Sequence, residues 1–106
     1  MQTLTHIDAL ARFGHALADG TRSQILLSLL RGPGYPSELA DRLGVSRQIL
    51  SNHLSCLRGC GLVVAVSEGR RTRYELADVR IGRALENLMD LVLAVDPGCC
   101  SDCACC

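Results

Sequence analysis

The chain has no lysine and no tryptophan, and no cysteine occurs before residue 56. Aromatic side chains make up only 3% of its 106 residues, so Leu, Ile and Val must do most of the packing. A chain of this length forms one domain with a thin core, which favours burying further apolar area against a second copy. No uncharged apolar run reaches the roughly 18 residues that a membrane-spanning helix needs. The opening stretch MQTLTHIDALARFGHAL is amphipathic and charged, unlike a secretory signal, so a cytoplasmic location is expected. Formal net charge is zero, so no global field draws the chain to nucleic acid. No Ser-His-Asp or Cys-His arrangement, Gly-rich phosphate loop or paired-carboxylate motif stands out, and no enzymatic activity is expected.

What is present is concentrated. The seven cysteines occupy two places: Cys56 and Cys60 inside SRQILSNHLSCLRGCGLV, and Cys99, Cys100, Cys103, Cys105 and Cys106 in the terminal CCSDCACC. An odd count with none in the first half argues against a disulfide framework, and in a reducing compartment clustered thiols more often bind metal or sense redox state. The basic charge is also local. Arg47, Arg58, Arg70, Arg71 and Arg73 share one window whose single acid is Glu68.

Patterning predicts a first helix after Thr5, with Asp8 as capping partner and an apolar stripe Ile7, Leu10, Gly14 and Leu17. Asp19 caps a second helix from Thr21 to about Arg31, with Ile25, Leu26, Leu29 and Leu30 inward. Gly32-Pro33-Gly34 breaks the chain. A short helix from Pro36, with Leu39, Ala40 and Leu43 inward, ends at Gly44, and Ser46 caps the next one, Arg47 to about Cys60. Two helices joined by so short a Gly-containing turn make a helix-turn-helix. Leu62–Ser67 and Arg71–Leu76 read as strands closed by a hairpin at Glu68-Gly69-Arg70, the wing of a winged helix. Asp78 caps a last helix to about Val95, before Pro97-Gly98. Its Ile81, Leu85, Leu88, Val92 and Val95 repeat at the seam spacing of helices that pack on each other. This helix, together with the first, is the expected homodimer face. The fold class is therefore mainly α with a β-hairpin wing: residues 1–96 form a winged helix-turn-helix domain for DNA binding and dimerisation, and residues 97–106 a flexible Cys-rich metal-binding tail.

On a helix, residues 47–60 separate into three faces. Leu50, Leu54 and Leu57 point to the core. Arg47, Gln48, Ser51, Asn52 and Ser55 form a polar face without an acid, of the residue types that read base edges and phosphates in a major groove. Ser46 and the free amides of the first turn suit a phosphate. Arg70, Arg71 and Arg73 reach an adjoining backbone or minor groove from the wing. The third face carries Ile49, His53, Cys56 and Cys60. His53 is assigned to hydrogen bonding or DNA contact rather than to a metal. Cys56 and Cys60 are neighbours at i and i+4 and can touch one ion, with further thiols supplied by the tail. Sulfur-only sites favour soft or borderline species: cadmium, lead, zinc, copper(I) or arsenite.

The order of elements around SRQILSNHLSCLRGCGLV resembles the ArsR/SmtB winged-helix metalloregulators over nearly the whole chain. LSNHLSCLRGCGLVVA followed by EGR-x-x-RY-x-LAD is similar to their cadmium/lead-sensing CmtR branch. The resemblance implies a dimeric repressor that leaves its operator, an imperfect palindrome, when metal binds. It also implies that two cysteines of the DNA-reading helix and one from the partner's tail hold the ion. Cys56 and Cys60 match the first two. Ungapped alignment puts Ser101 at the third, with Cys99, Cys100 and Cys103 beside it, and Cys100 is the choice, with Cys99 next. Branches that sense through the third helix carry Cys-x-Cys near Tyr35–Glu38, and those with a last-helix site carry Asp-x-His. Here the first is missing and Asp78 is followed by Val79 and Arg80.

The expected function is thus a repressor released from DNA by cadmium or lead. Three rivals stay open: release by arsenite on tail thiols such as Cys99, Cys100 and Cys106; a thiol redox switch; and a metal-storage protein whose winged helix binds protein rather than DNA.

Overall fold

The computed structural model describes residues 5–91, 93 and 94, in the order α1 (His6–Leu17), α2 (Gly20–Arg31), α3 (Pro36–Leu43), α4 (Arg47–Gly59), β1 (Val63–Glu68), β2 (Arg71–Leu76) and α5 (Val79–Met89). Each helix starts where a side chain or a proline relieves unpaired backbone amides. Thr5, Asp19, Ser46 and Asp78 accept from the amides of Asp8, Arg22, Ile49 and Arg80. Pro36, which has no amide to leave unpaired, opens α3.

The core is aliphatic. Ile25, Leu26 and Leu29 of α2, Leu39 and Ala40 of α3, Leu50, Leu54 and Leu57 of α4, Val63 of β1 and Leu85 of α5 close around one another. Burying each such Leu, Ile or Val contributes roughly 1.5–3 kcal/mol. The hairpin runs antiparallel from Val63 opposite Leu76 to Glu68 opposite Arg71. Gly69 stands at the first position of its two-residue turn with φ +61°, where a side chain would be strained. Gly34 adds a short third rung, exchanging both backbone hydrogen bonds with Tyr74 at 2.8 and 2.9 Å. This rung ties the start of α3 to the wing.

Three expectations change. The face of α1 that packs on the core is Phe13, Ala16 and Leu17, whereas Ile7 and Leu10 of the stripe stand 75% and 70% exposed. β1 starts one residue late because Leu62 is buried beneath it and spends its carbonyl on Ala77. The last helix ends at Met89 rather than near Val95: the Leu91 amide closes a tighter turn on Leu88, and Asp90 sets a carboxylate at the negative end of the helix dipole. Leu88, Met89, Leu91 and Leu93 are exposed. Val92, Val95, Pro97 and the cysteine tail lie outside the described residues. Among the described residues no helix is long and apolar enough to cross a membrane.

Candidate DNA interface and thiol site

The turn into α4 is set locally. Gly44 takes the left-handed conformation at φ +69°, the Val45 amide returns to the carbonyl of Ala40, and Ser46 Oγ accepts from Ile49 at 3.1 Å. With Leu50, Leu54 and Leu57 sealed against the core, Arg47, Gln48, Ser51, Asn52 and Ser55 are left facing solvent. Gln48 Nε2 donates to Asn52 Oδ1 at 3.0 Å, which holds two amide groups of groove-reading type in register one turn apart.

The wing arginines divide into two kinds. Arg71 lies 3.6 Å over the ring centroid of Tyr35 and donates to Glu38 at 2.6 Å. Arg73 donates to Glu68 at 2.6 Å, and its buried Nε stays 3.6 Å from Glu75, without a hydrogen-bond partner. Glu68 also accepts the Tyr35 hydroxyl at 2.6 Å, and this hydrogen bond, which needs the phenol proton, pushes the phenol pKa up. Arg71 therefore ties the wing to α3, and Arg73 ties the two strands of the wing to each other. Among the described residues Arg47 and Arg70 enter no ion pair. Both line a cleft of about 300 Å³ with Ser37 at the start of α3 and Thr72 of the wing. Of the three wing residues singled out from sequence, Arg70 is the one whose charge is not already engaged.

The third face of α4 packs toward the corner between α1 and α2. His53, assigned from sequence to hydrogen bonding or DNA contact, faces this corner, with Nε2 3.8 Å from Asp19 Oδ2. The Asp19 carboxyl is held below its ordinary range, chiefly because it accepts the Arg22 amide at 3.0 Å. Arg22 spans the same corner, donating through Nε to the carbonyl of Ala16 and through Nη2 to that of His15. Cys56 and Cys60 are half-buried free thiols on successive turns. Cys56 Sγ lies 3.9 Å from His15 Nε2 of α1.

Two soft donors on one face fit a thiophilic cation, but they do not complete its coordination. Among the described residues no three His, Cys, Asp or Glu side chains converge on one ion. Cys99 and Cys100 lie outside the described residues. The pattern missed His15 because it sits 41 positions before Cys56, on a different helix, in a segment with no ligand spacing of its own.

Comparison with known proteins bears on what this arrangement serves. Residues 19–65 match the bacterial regulatory protein, arsR family. The HTH-type transcriptional regulator CmtR of Mycobacterium tuberculosis is 62% identical over 88 residues, covering 83% of this chain and 75% of its own length. A probable mercury resistance operon repressor of Streptomyces lividans is 39% identical over 93% of this chain and 78% of its own. The NMR structure of the cadmium metal-sensor CmtR from M. tuberculosis superposes with a TM-score of 0.68 over 82% of this chain and 90% of that one, at 62% identity. A homodimeric winged helix-turn-helix DNA-binding domain from Mycobacterium bovis gives 0.75 at 32% identity, over 84% and 87%. With a winged helix in its structure and relatives this similar across most of its length, the chain belongs to the ArsR family of bacterial transcriptional regulators.

Proposed function

We propose that the chain is a homodimeric repressor that holds an operator while metal-free and releases it when cadmium or lead is bound through Cys56, Cys60 and a thiol of the cysteine tail, Cys100 or its neighbour Cys99. The observation that carries this reading is the position of Cys56 and Cys60. They lie on the helix that presents Arg47, Gln48, Ser51 and Asn52 to solvent, but on a different face, so ligand and DNA do not compete for the same atoms. A soft cation supplies strong bonds to thiolate sulfur, and two such bonds would fix that face of α4 to whatever provides the third. A helix held in a new position no longer fits a groove it must enter with its whole N-terminal half. By linkage, DNA must weaken cadmium binding by the factor by which cadmium weakens DNA binding. The outward Ile7, Leu10, Leu88 and Met89 support a two-fold assembly, since a palindromic operator needs a dimer and these side chains are exposed among the described residues.

The test uses a duplex selected from a random pool by the metal-free chain. Anisotropy should show release on adding cadmium, accompanied by sulfur-to-metal charge transfer in the ultraviolet. Cys56→Ser and Cys60→Ser should keep metal-free affinity and lose the release. If either variant is still released like the parent, the thiol face is not the sensor. Running arsenite, mercury(II) and peroxide in chelator beside cadmium separates the rival signals.

A further inference from the structure

We infer that Tyr35, at the start of α3, is a positioning residue for the wing: it keeps the acid beside the hairpin turn occupied, so that Arg70 stays free to meet a phosphate of the operator. The inference rests on DNA binding through α4 and the wing, and not on the metal response. Glu68 and Arg71 flank the turn and stand opposite each other in the register. Opposite charges so placed ordinarily pair across the strands. Here they do not. Tyr35 takes both, its hydroxyl donating to Glu68 Oε1 at 2.6 Å and its ring centroid lying 3.6 Å from the Arg71 guanidinium. Among the described residues the ion pairs of these two groups go elsewhere, Arg71 to Glu38 and Glu68 to Arg73.

The backbone lays Tyr35 against the wing. Gly34, just before it, exchanges both backbone hydrogen bonds with Tyr74, and the rung is tight, since a Cβ at Gly34 would come 3.1 Å from the Leu39 side chain. Pro36, just after it, restricts Tyr35 to extended backbone, where it stands at φ −111° and ψ 143°. A carboxylate only accepts, and an oxygen left without a donor takes one within reach. Glu68 has Oε2 filled by Arg73 Nη1 at 2.6 Å and Oε1 filled by the Tyr35 hydroxyl. Without that hydroxyl, Oε1 has Arg70 as a neighbour on the same turn, and the cation would be spent inside the wing. With it, Arg70 is exposed and lines the cleft it shares with Arg47, Ser37 and Thr72. The raised phenol pKa keeps the hydroxyl a donor well above neutral pH.

The experiment measures affinity against salt for the full metal-free chain, on the duplex that chain selects from a random pool. Tyr35→Phe keeps the ring beside Arg71 and removes only the hydroxyl, so it should fold, which circular dichroism checks. Its salt slope should fall by about 0.9, the share of one phosphate contact. In the Glu68→Gln and Arg70→Ala backgrounds the same change should leave the slope where it was, because there the acid or the cation it would capture is missing. An unchanged slope in Tyr35→Phe overturns the inference and leaves the function proposed above intact. A fall that persists in either background overturns it as well, because Tyr35 then acts as part of the scaffold rather than through Glu68 and Arg70. If the parent chain selects no duplex, the repressor reading fails and the inference falls with it.

Discussion

Two faces of α4 have been given opposite treatment by the rest of the fold. Among the described residues the polar side, with Arg47, Ser51 and Asn52, touches almost nothing: its order comes from the Ser46 cap and from the Gln48–Asn52 bond. The sulfur side meets other elements at two points, His53 beside Asp19 and Cys56 beside His15. On the function proposed above, the surface that accepts DNA is kept clear, and the surface that transmits the signal approaches another helix. The same division appears on the wing, where Arg71 and Arg73 are spent on Tyr35, Glu38 and Glu68 while Arg70 stays unengaged. Charge counted along the sequence is therefore a poor guide to charge offered to DNA.

The separation of faces can be broken from beneath. Leu54 supports both and is 1% exposed, so Leu54→Ala should cost about 3 kcal/mol in a denaturant titration and abolish cadmium response and DNA binding together. A smaller effect sharpens the contrast: Arg47→Ala should weaken operator binding by about 2 kcal/mol yet leave the cadmium charge-transfer band unchanged. If that band moves, the two faces are not independent. On the wing, Arg70→Ala should lower the salt dependence of operator binding by about one phosphate contact. Glu38→Gln should alter stability by less than about 1 kcal/mol, since it loosens one exposed ion pair, and the freed Arg71 should raise the salt slope instead.

The smallest effect lies away from α4. Asp78 caps α5 and is held at about 2, below its ordinary 3.8, chiefly by its hydrogen bond with the Arg80 side chain. A depressed carboxyl contributes stability that is fully present above its unfolded value and is lost as pH falls toward the folded one. Helical signal from α5 should therefore decline between about pH 4 and pH 2, and Asp78→Asn should flatten that part of the acid titration.

Local chemistry was legible wherever a residue acts within a few positions of itself. The caps at Thr5, Asp19, Ser46 and Asp78, the Gly69 turn, and the inward Leu50, Leu54 and Leu57 all follow from short-range hydrogen bonding and helical periodicity. The pair Cys56 and Cys60 was legible for the same reason, because one helical turn is a local distance.

What spacing along the chain does not encode is which distant side chain each face meets. The turning of His53 to Asp19, the approach of His15 to Cys56 and the capture of Arg71 by Tyr35 and Glu38 depend on how separate elements pack. The sequence by itself determined a winged helix with two thiols on its reading helix, because caps, turns and periodicity are properties of neighbouring residues. Only the tertiary structure decided which arginines remain for DNA and which histidine faces the sulfur, because those outcomes belong to helices joined through a shared core.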